Sequence, residues 1–398
     1  MQLNTKTNRH SKHVWLCLAA VGLLLAASAC PGPDSRRTRR YNKSMLQKSL
    51  QKFESTGLVI GEFPLASRSV IDGDTIRVDG LRTSLRLLAI DTEETFKRPS
   101  EKRLFSTGWK NYLKVLMGKR VKPVKMASPL GMEAKKWAQT FFDDVKTVRL
   151  ERDHPKEIRG RFNRYLVYVF AKKSGRWVNY NLECVRAGMS PYFTKYSYSR
   201  RFHKEFVAAQ AEARRKKLGI WDPNKMHYID YDKRLTWWYA RADFIRQFEQ
   251  DARGKPNYIM LTNWDALRRL QAHINKKVVI LATVGRVKLG DRGPTKVMLS
   301  RRRGGDFALI FFDKDVFGSS RIARFKGEYV RVTGRVTTWF NKYRKRDELQ
   351  MVIALPGQIE GSDKVPDFSR WHPEKAGGPK KDIPKKDGPK KDDPKKDK

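Results

Sequence analysis

Apolar and polar positions change rhythm several times along this chain. From about Phe63 the pattern is strand-like. Thr75 to Val78 and Ser84 to Ile90 read as strands joined by "DGLRT", a turn-forming stretch. Residues 131–145 take helical spacing, with Ala134, Ala138, Phe141 and Val145 on one face. "TVRLER" and "RYLVYVF" alternate as strands. "VNYNLECVRAG" reads as a short apolar-faced helix capped by Gly188, and "RRFHKEFVAAQAEARRKKLG" as a longer one stopped at Gly219, with Pro223 closing the unit. Residues 224–275 read as a helical connector containing the amphipathic "LTWWYARADFIRQFEQ". Five further strands follow: "VVILATVGRV", "TKVMLS", "FALIFF", "YVRVTGRV" and "LQMVIALPGQIE", with a short helix in "DVFGSSRIARFKG". Five strands with a helix between the third and fourth predict an OB-type barrel over 276–362. The last segment, 363–398, repeats Pro-Lys-Lys-Asp and has too little apolar content to offset the entropy of ordering. It reads as a disordered, solvated basic tail.

Composition adds a partner class. The chain has 398 residues, 85 Lys+Arg and 42 Asp+Glu, a formal net charge of +43. Such an excess predicts attraction to a polyanion: nucleic acid first, with an anionic membrane or an acidic wall polymer as alternatives. At the N-terminus Lys6, Arg9 and Lys12 precede an apolar run, Val14 to Ala29, that is short for a membrane span. Residues 1–30 therefore read as an export signal, and 31–62 as a basic linker. "LLAASAC" admits ordinary cleavage after the small residues or, as it resembles a bacterial lipobox, lipidation of Cys30 and membrane anchoring. With Cys17 and Cys30 in the signal, Cys184 is the remaining internal thiol, so no intrachain disulfide framework is available. Cys184 reads as a small buried hydrophobe rather than a nucleophile.

Candidate chemistry begins at "VIDGDTIRV". Asp72-Gly73-Asp74 alone is a turn signal, but a second acidic cluster, Asp91-Thr92-Glu93-Glu94, ends "LRLLAIDTEET". If the chain folds back near Arg82 and Thr83, Asp74 and Asp91 meet at the open end of the hairpin. A tight turn at Asp79-Gly80 would instead set Asp74 opposite Leu85. Two adjoining carboxylates call for a cation. Hard oxygen donors suit calcium or magnesium, and calcium better if a carbonyl and waters take part. Arg86 and Arg164 could then hold a phosphate, each guanidinium forking two donors onto its oxygens.

"VIDGDTIRV", "LRLLAIDTEET", "FNRYLVYVF" and "GIWDP" occur in an order and spacing that resemble the staphylococcal-nuclease-like (thermonuclease) family, over about residues 65–222. The resemblance implies a mainly β fold with α: an OB-type five-stranded β-barrel nuclease domain with three helices (63–223), beside the second OB-like barrel. It implies a Ca²⁺-dependent phosphodiesterase acting on DNA and RNA, with no small-molecule cofactor, and we expect a monomer. Asp74 and Asp91 would ligate Ca²⁺ by carboxylate and Thr92 by its carbonyl, with Asp72 behind them. Glu94 would hold or deprotonate the attacking water, and Arg86 and Arg164 would grip the phosphate. Three departures stand out. Glu93 replaces a proline, which should add charge and loosen the loop. Phe162 replaces a phosphate-touching tyrosine, and Asn163 a glycine. Residues 96–130 exceed the usual loop and read either as a DNA-contacting flap or as a solvated excursion. Tyr192, Tyr196 and Tyr198 are candidates for stacking on a base, or ordinary loop aromatics.

In the second unit, Arg301, Arg302 and Arg303, then Lys342, Arg344, Lys345 and Arg346 beside Trp339, Phe340 and Tyr343, suit sequence-tolerant binding of single strands. A structural appendage is the alternative there. For the whole chain, the alternatives to an exported nuclease are a non-catalytic nucleic-acid binder on the same scaffold and an envelope-polymer interaction protein.

Overall fold

In the computed structural model the described residues are 57–118, 122–157, 160, 164–300, 307–362 and 364. The signal with Cys30, most of the linker, Phe162, Asn163, Arg301 to Arg303 and all but Lys364 of the tail lie outside them.

The first sheet is built on one long strand, β1 (Val59–Asp72). Its first half pairs antiparallel with β4 (Thr147–Glu151), its second half with β2 (Thr75–Val78), and register shifts interrupt both ladders. Arg68, in left-handed backbone at φ 55°, sits in the irregular stretch. Such breaks bend a strand so that one segment can serve two sides of a barrel. β2 pairs antiparallel with β3 (Leu85–Leu87), β3 runs parallel to β5 (Leu166–Lys173), and β5 returns antiparallel to β4. The ring β1-β2-β3-β5-β4 is thus closed, and β6 (Arg176–Asn179) extends it as a hairpin on β5. Closure leaves no edge on the five ring strands, and inward residues such as Ile76, Leu85, Val148, Leu150, Val167 and Val169 are fully buried.

Three helices cover the barrel. α3 (Pro129–Phe141) buries Ala134 and Ala138, α4 (Tyr180–Arg186) buries Cys184 and Val185, and α5 (His203–Arg215) buries Phe206, Ala209 and Ala213. α3 ends four residues before the expected Val145, which stays buried beyond a turn. Cys184 is a core residue, and burial raises its thiol far above the ordinary range, so it is unreactive. α5 is not stopped by Gly219; Lys217 takes the left-handed position there. Gly219 and Gly188, both left-handed, lie back to back: a Cβ at Gly219 would sit 2.0 Å from the Gly188 carbonyl oxygen.

Among the described residues the 96–130 insertion is packed structure and not a solvated excursion. It adds α1 (Pro99–Phe105) and α2 (Trp109–Met117), which fold on an aromatic cluster of Phe96, Phe105, Trp109 and the fully buried Tyr112. α1 starts at Pro99, with Glu101 accepting the Lys97 and Arg98 N–H groups at 3.2 and 3.1 Å. The Tyr112 hydroxyl donates to the Ala127 carbonyl at 2.9 Å.

The 224–275 stretch is only partly the expected helical connector. α6 (Tyr231–Asp251) is followed by β7 (Tyr258–Met260), which pairs parallel with the later strand over Lys277–Lys288, and by α7 (Ala266–Gln271). Ile259, Leu261, Ala266 and Leu270 belong to the second core, so those residues pack with the second β-sheet domain. That domain comprises β8 (Lys277–Lys288), β9 (Thr295–Ser300), β10 (Phe307–Phe311), α8 (Lys314–Ser319), β11 (Tyr329–Arg335), β12 (Thr337–Asn341), β13 (Arg346–Val352) and β14 (Ile359–Gly361). The β8-β9-β10 meander, the parallel β10–β13 pair and the antiparallel β8–β11 pair repeat the connection order of the first ring, but among the described residues no ladder joins β11 to β13, so in place of the expected closed barrel the sheet is open, in the order β12-β13-β10-β9-β8-β11-β14 with β7 on β8. β12 and β14 are strands beyond the five expected. The "LQMVIALPGQIE" run is broken at Pro356, where a 3-10 turn separates β13 from β14.

The barrel and the second β-sheet domain are joined at Glu328. Its buried carboxylate pairs with Arg241 of α6, accepts from Trp237 Nε1 at 3.1 Å, and meets Lys122 of the insertion at 2.7 Å. Nearby, the half-buried Lys195 ammonium stands over the Trp237 ring at 4.3 Å. Burial, and then the neighbouring Arg241, lower its pKa to about 8, against the opposing pull of Asp91 and Glu328.

Two predictions follow from this packing. Gly219→Ala should cost about 2–4 kcal/mol in chemical denaturation, combining left-handed strain with displacement of the Gly188 backbone. For Lys195, the unfolded chain binds the proton more tightly than the fold, so this group makes stability rise as pH climbs from about 8 towards 10.5. Lys195→Met should therefore be more stable than the parent at pH 7, by a margin that narrows at pH 9 and 10 in the same assay.

Candidate functional site

The site is assembled at one end of the first barrel by the way β2 and β3 stop. Thr75 is opposite Arg86, and the Leu87 N–H donates to the Asp74 carbonyl at 3.2 Å. The turn is looser than Asp79-Gly80 alone, yet the fold-back is not near Arg82 and Thr83. Asp74 therefore stands opposite Leu87 rather than Asp91. What returns Asp91 to it is the chain after β3. Ala89 takes a left-handed conformation, φ 59°, and the strand ends at Leu87 instead of running to Ile90. The Asp91 N–H then donates to Ser190 Oγ at 2.8 Å.

Arg86 lies between the two acids: one end of its guanidinium pairs with Asp74 and the other with Asp91. All three are largely removed from solvent. Burial alone would raise the Asp74 carboxyl; Arg86, then Lys125, with the Thr75 hydroxyl donating at 2.8 Å, hold it below its usual range. Burial likewise would lower Arg86, but Asp74 and Asp91 raise it further above its already high value. Arg164 precedes β5 by two residues, and β5 runs beside β3 through Arg86–Leu166. Burial lowers the Arg164 pKa, Arg86 adds to that, and Asp74 and Glu94 oppose it, so its guanidinium sits in the field of all three. Asp74, Asp91, Arg86 and Arg164 thus occupy one locus.

Glu94 is at the same locus but reaches solvent, with 36% of its side chain exposed. It pairs with Lys97 at 3.2 Å and stands 3.8 Å from Lys125. Asp72 lies behind, accepting from Thr95 Oγ1 at 2.7 Å and from Lys97 at 2.8 Å. Burial would lower the Lys97 pKa; Asp72 and Glu94 raise it. Lys125, at the end of the insertion, also pairs with Asp91. Sequence reasoning missed both lysines: nothing in their local pattern separates them from the many other basic residues of 96–130.

Glu93 overturns the expectation of a loosened loop. It is buried, and three donors hold it: Ser128 Oγ, the Tyr228 N–H at 2.6 Å and the Tyr231 hydroxyl at 2.8 Å. Burial raises its pKa, and those hydrogen bonds offset only part of the rise. Ser128 is at the same time the N-cap of α3, accepting from the Gly131 N–H at 3.0 Å. Gly131 is needed because a Cβ there would lie 2.1 Å from the Glu94 carbonyl oxygen. The first turn of α3 is thereby pressed against the Glu93-Glu94 backbone.

Thr92 is buried, and its hydroxyl makes no hydrogen bond to the protein. The donor types here are all hard oxygens, which fits Ca²⁺ chemically. Among the described residues no group of three or more acidic, His or Cys side chains gathers at metal-binding distance. Asp74 and Asp91 would thus need a carbonyl such as that of Thr92, and waters, to complete a shell. Of the tyrosines, Tyr192 is buried and hydrogen-bonded to the Ser199 N–H at 2.7 Å, and Tyr198 donates to Asp243 at 3.0 Å. Tyr196 is the exposed one.

Residues 84–223 match the family described as Staphylococcal nuclease homologue. An uncharacterised protein of Methanocaldococcus jannaschii is 30% identical over 155 residues, 38% of this chain and 69% of that protein. The thermonuclease of Staphylococcus hyicus is 31% identical over 157 residues, 38% of this chain and 72% of that enzyme. With the closed five-strand ring and the order of its motifs, these likenesses establish that the chain belongs to the staphylococcal nuclease homologue family.

Proposed function

We propose that the protein is an exported, Ca²⁺-dependent endonuclease that hydrolyses phosphodiester bonds of DNA, RNA or both. The observation that carries this reading is the convergence of Asp74 and Asp91 on Arg86, with Arg164 and the solvent-reaching Glu94 beside them. The likeness to a thermonuclease supports it. The signal-like N-terminus supports export, with a lipidated Cys30 as the anchored variant of the same reading.

A phosphodiester is anionic and repels nucleophiles. Arg86 and Arg164 are permanently charged and fork their donors in a plane that matches phosphate oxygens, so they orient the diester and stabilise the charge that builds on it. Glu94 is the carboxylate with access to water, and it accepts the proton of the attacking molecule or aligns it for attack. Asp74, Asp91 and the Thr92 carbonyl would hold the cation. When bound, it supplies positive charge at the phosphate and lowers the cost of forming hydroxide. Glu93, Ser128 and Gly131 position Glu94 through its backbone.

One observation favours a second reading. Arg86 and Lys125 already compensate Asp91, and Lys97 compensates Asp72 and Glu94, which suits a nucleic-acid binder that carries its own cations. The two readings part on Glu94→Gln. For a nuclease, Ca²⁺-dependent cleavage of plasmid and single-stranded DNA should fall about 10²–10⁴-fold in that variant, with DNA affinity nearly unchanged, and chelation should stop the parent protein. A parent protein that binds DNA with no cleavage in Ca²⁺ supports the binder. The lysines give a second prediction. Lys125→Met should tighten Ca²⁺ about fivefold in calorimetry on the full chain, because an ammonium worth about 1 kcal/mol no longer competes for Asp91. Weaker Ca²⁺ binding would mean that Lys125 supports the ion's seat instead.

A further inference from the structure

We propose that the β12–β13 hairpin of the second β-sheet domain is a separate binding site for single-stranded nucleic acid, working by base stacking and phosphate attraction. It does not depend on catalysis at the first barrel. β12 is the outermost strand of its sheet, paired to β13 from Thr337–Gln350 to Asn341–Arg346. Its aromatic residues are turned outward: Tyr343 at the tip is 98% exposed, Phe340 54% and Trp339 42%. Three large exposed rings are thus carried on the two faces and the tip of one two-stranded ribbon. Lys342, Arg344, Lys345 and Arg346 are at the same tip. Lys296 of β9, distant in sequence, stands over the Trp339 ring at 4.7 Å.

Charge and ring together choose the occupant. An apolar partner would be repelled by desolvation of the basic groups, and a rigid duplex hides its base faces within the stack. Unpaired bases offer planar faces to Tyr343, Phe340 and Trp339, while their phosphates meet the lysines and arginines. Trp339 and Phe340 are consecutive in the strand and face opposite sides of the ribbon, so a flexible strand crossing the tip can engage either. Arg344 and Arg346 pair with Glu348 at 2.6 and 3.6 Å, but such surface pairs are weak and yield to a phosphate.

The test uses the full chain in chelator, so that no cleavage intervenes, and fluorescence anisotropy of a labelled oligo-dT and of a duplex of equal length. Tyr343→Ala and Trp339→Ala should each weaken oligo-dT binding by about fivefold or more and change duplex binding less. Lys342→Glu with Lys345→Glu should weaken both and flatten the salt dependence. Because these side chains are outward, circular dichroism and denaturation midpoints should match the parent. Unchanged oligo-dT affinity in all three variants overturns the proposal. So does loss confined to phosphatidylglycerol vesicles, which would make the hairpin a membrane contact. A change in sedimentation alone also overturns it, since that would make the ribbon an edge for self-association.

Discussion

Two carboxylates, one from the turn after β1 and one from the segment after β3, share one guanidinium at the end of a closed barrel, and the site is organised around that constraint. Asp74 and Asp91 are both buried, so neither can be ionised without positive charge close by. Arg86 supplies it from the strand between them, and the pairing fixes where β3 ends and how the chain turns at Ala89. The remaining charges follow in sequence. Lys125 answers the rest of Asp91, Lys97 answers Asp72 and Glu94, and Arg164 is held in the same field at the cost of facing Arg86. An acidic cluster that looks short of a cation in a linear reading is, in the fold, balanced by side chains, and a metal ion would enter in competition with them.

The second constraint is the junction at Glu328. A buried carboxylate with a buried arginine on one side, an indole N–H on another and a lysine on a third ties α6, the insertion and β11 to one point. Burial would raise its pKa, and Arg241 and Lys122 bring it below the usual range instead. Removing one partner from such a pair typically costs about 3–5 kcal/mol, because the other charge stays buried. That makes α6 a fixed strut between the barrel and the second β-sheet domain rather than a loose connector.

The sequence carried the secondary structure where periodicity was local. β2 and β9 fall on the expected residues, and α5 forms within the expected helical run, burying Phe206, Ala209 and Ala213. It failed where long-range pairing decides. β7 is three residues with no alternating run, visible only because β8 offers it a ladder. β3 is shorter than its apolar pattern because Ala89 must turn for Asp91 to reach Arg86. The acids and arginines were legible as residue types in order along the chain. Their mutual distances were not, since they depend on the parallel β3–β5 pairing. Lys97 and Lys125 were illegible, since a lysine among lysines carries no local signal, and their placement is set by the packing of α1 and α2.

Glu93 shows how a local rule can be replaced by a tertiary one. A proline at that position stiffens a loop by fixing its own φ. Here the stiffness comes instead from Ser128, Tyr228 and Tyr231, which reach the carboxylate from two helices' starting turns. The exchange makes the Glu94 backbone dependent on distant elements. Tyr231 opens α6, and α6 carries Arg241 to Glu328, so packed and hydrogen-bonded groups run without a break from the Glu93-Glu94 loop to the first residues of β11. A proline would have left that loop self-sufficient. With glutamate, the geometry around Glu94 is shared with the strut and with the sheet domain beyond it, and disturbance at the Glu328 junction has a physical route to the acids of the barrel.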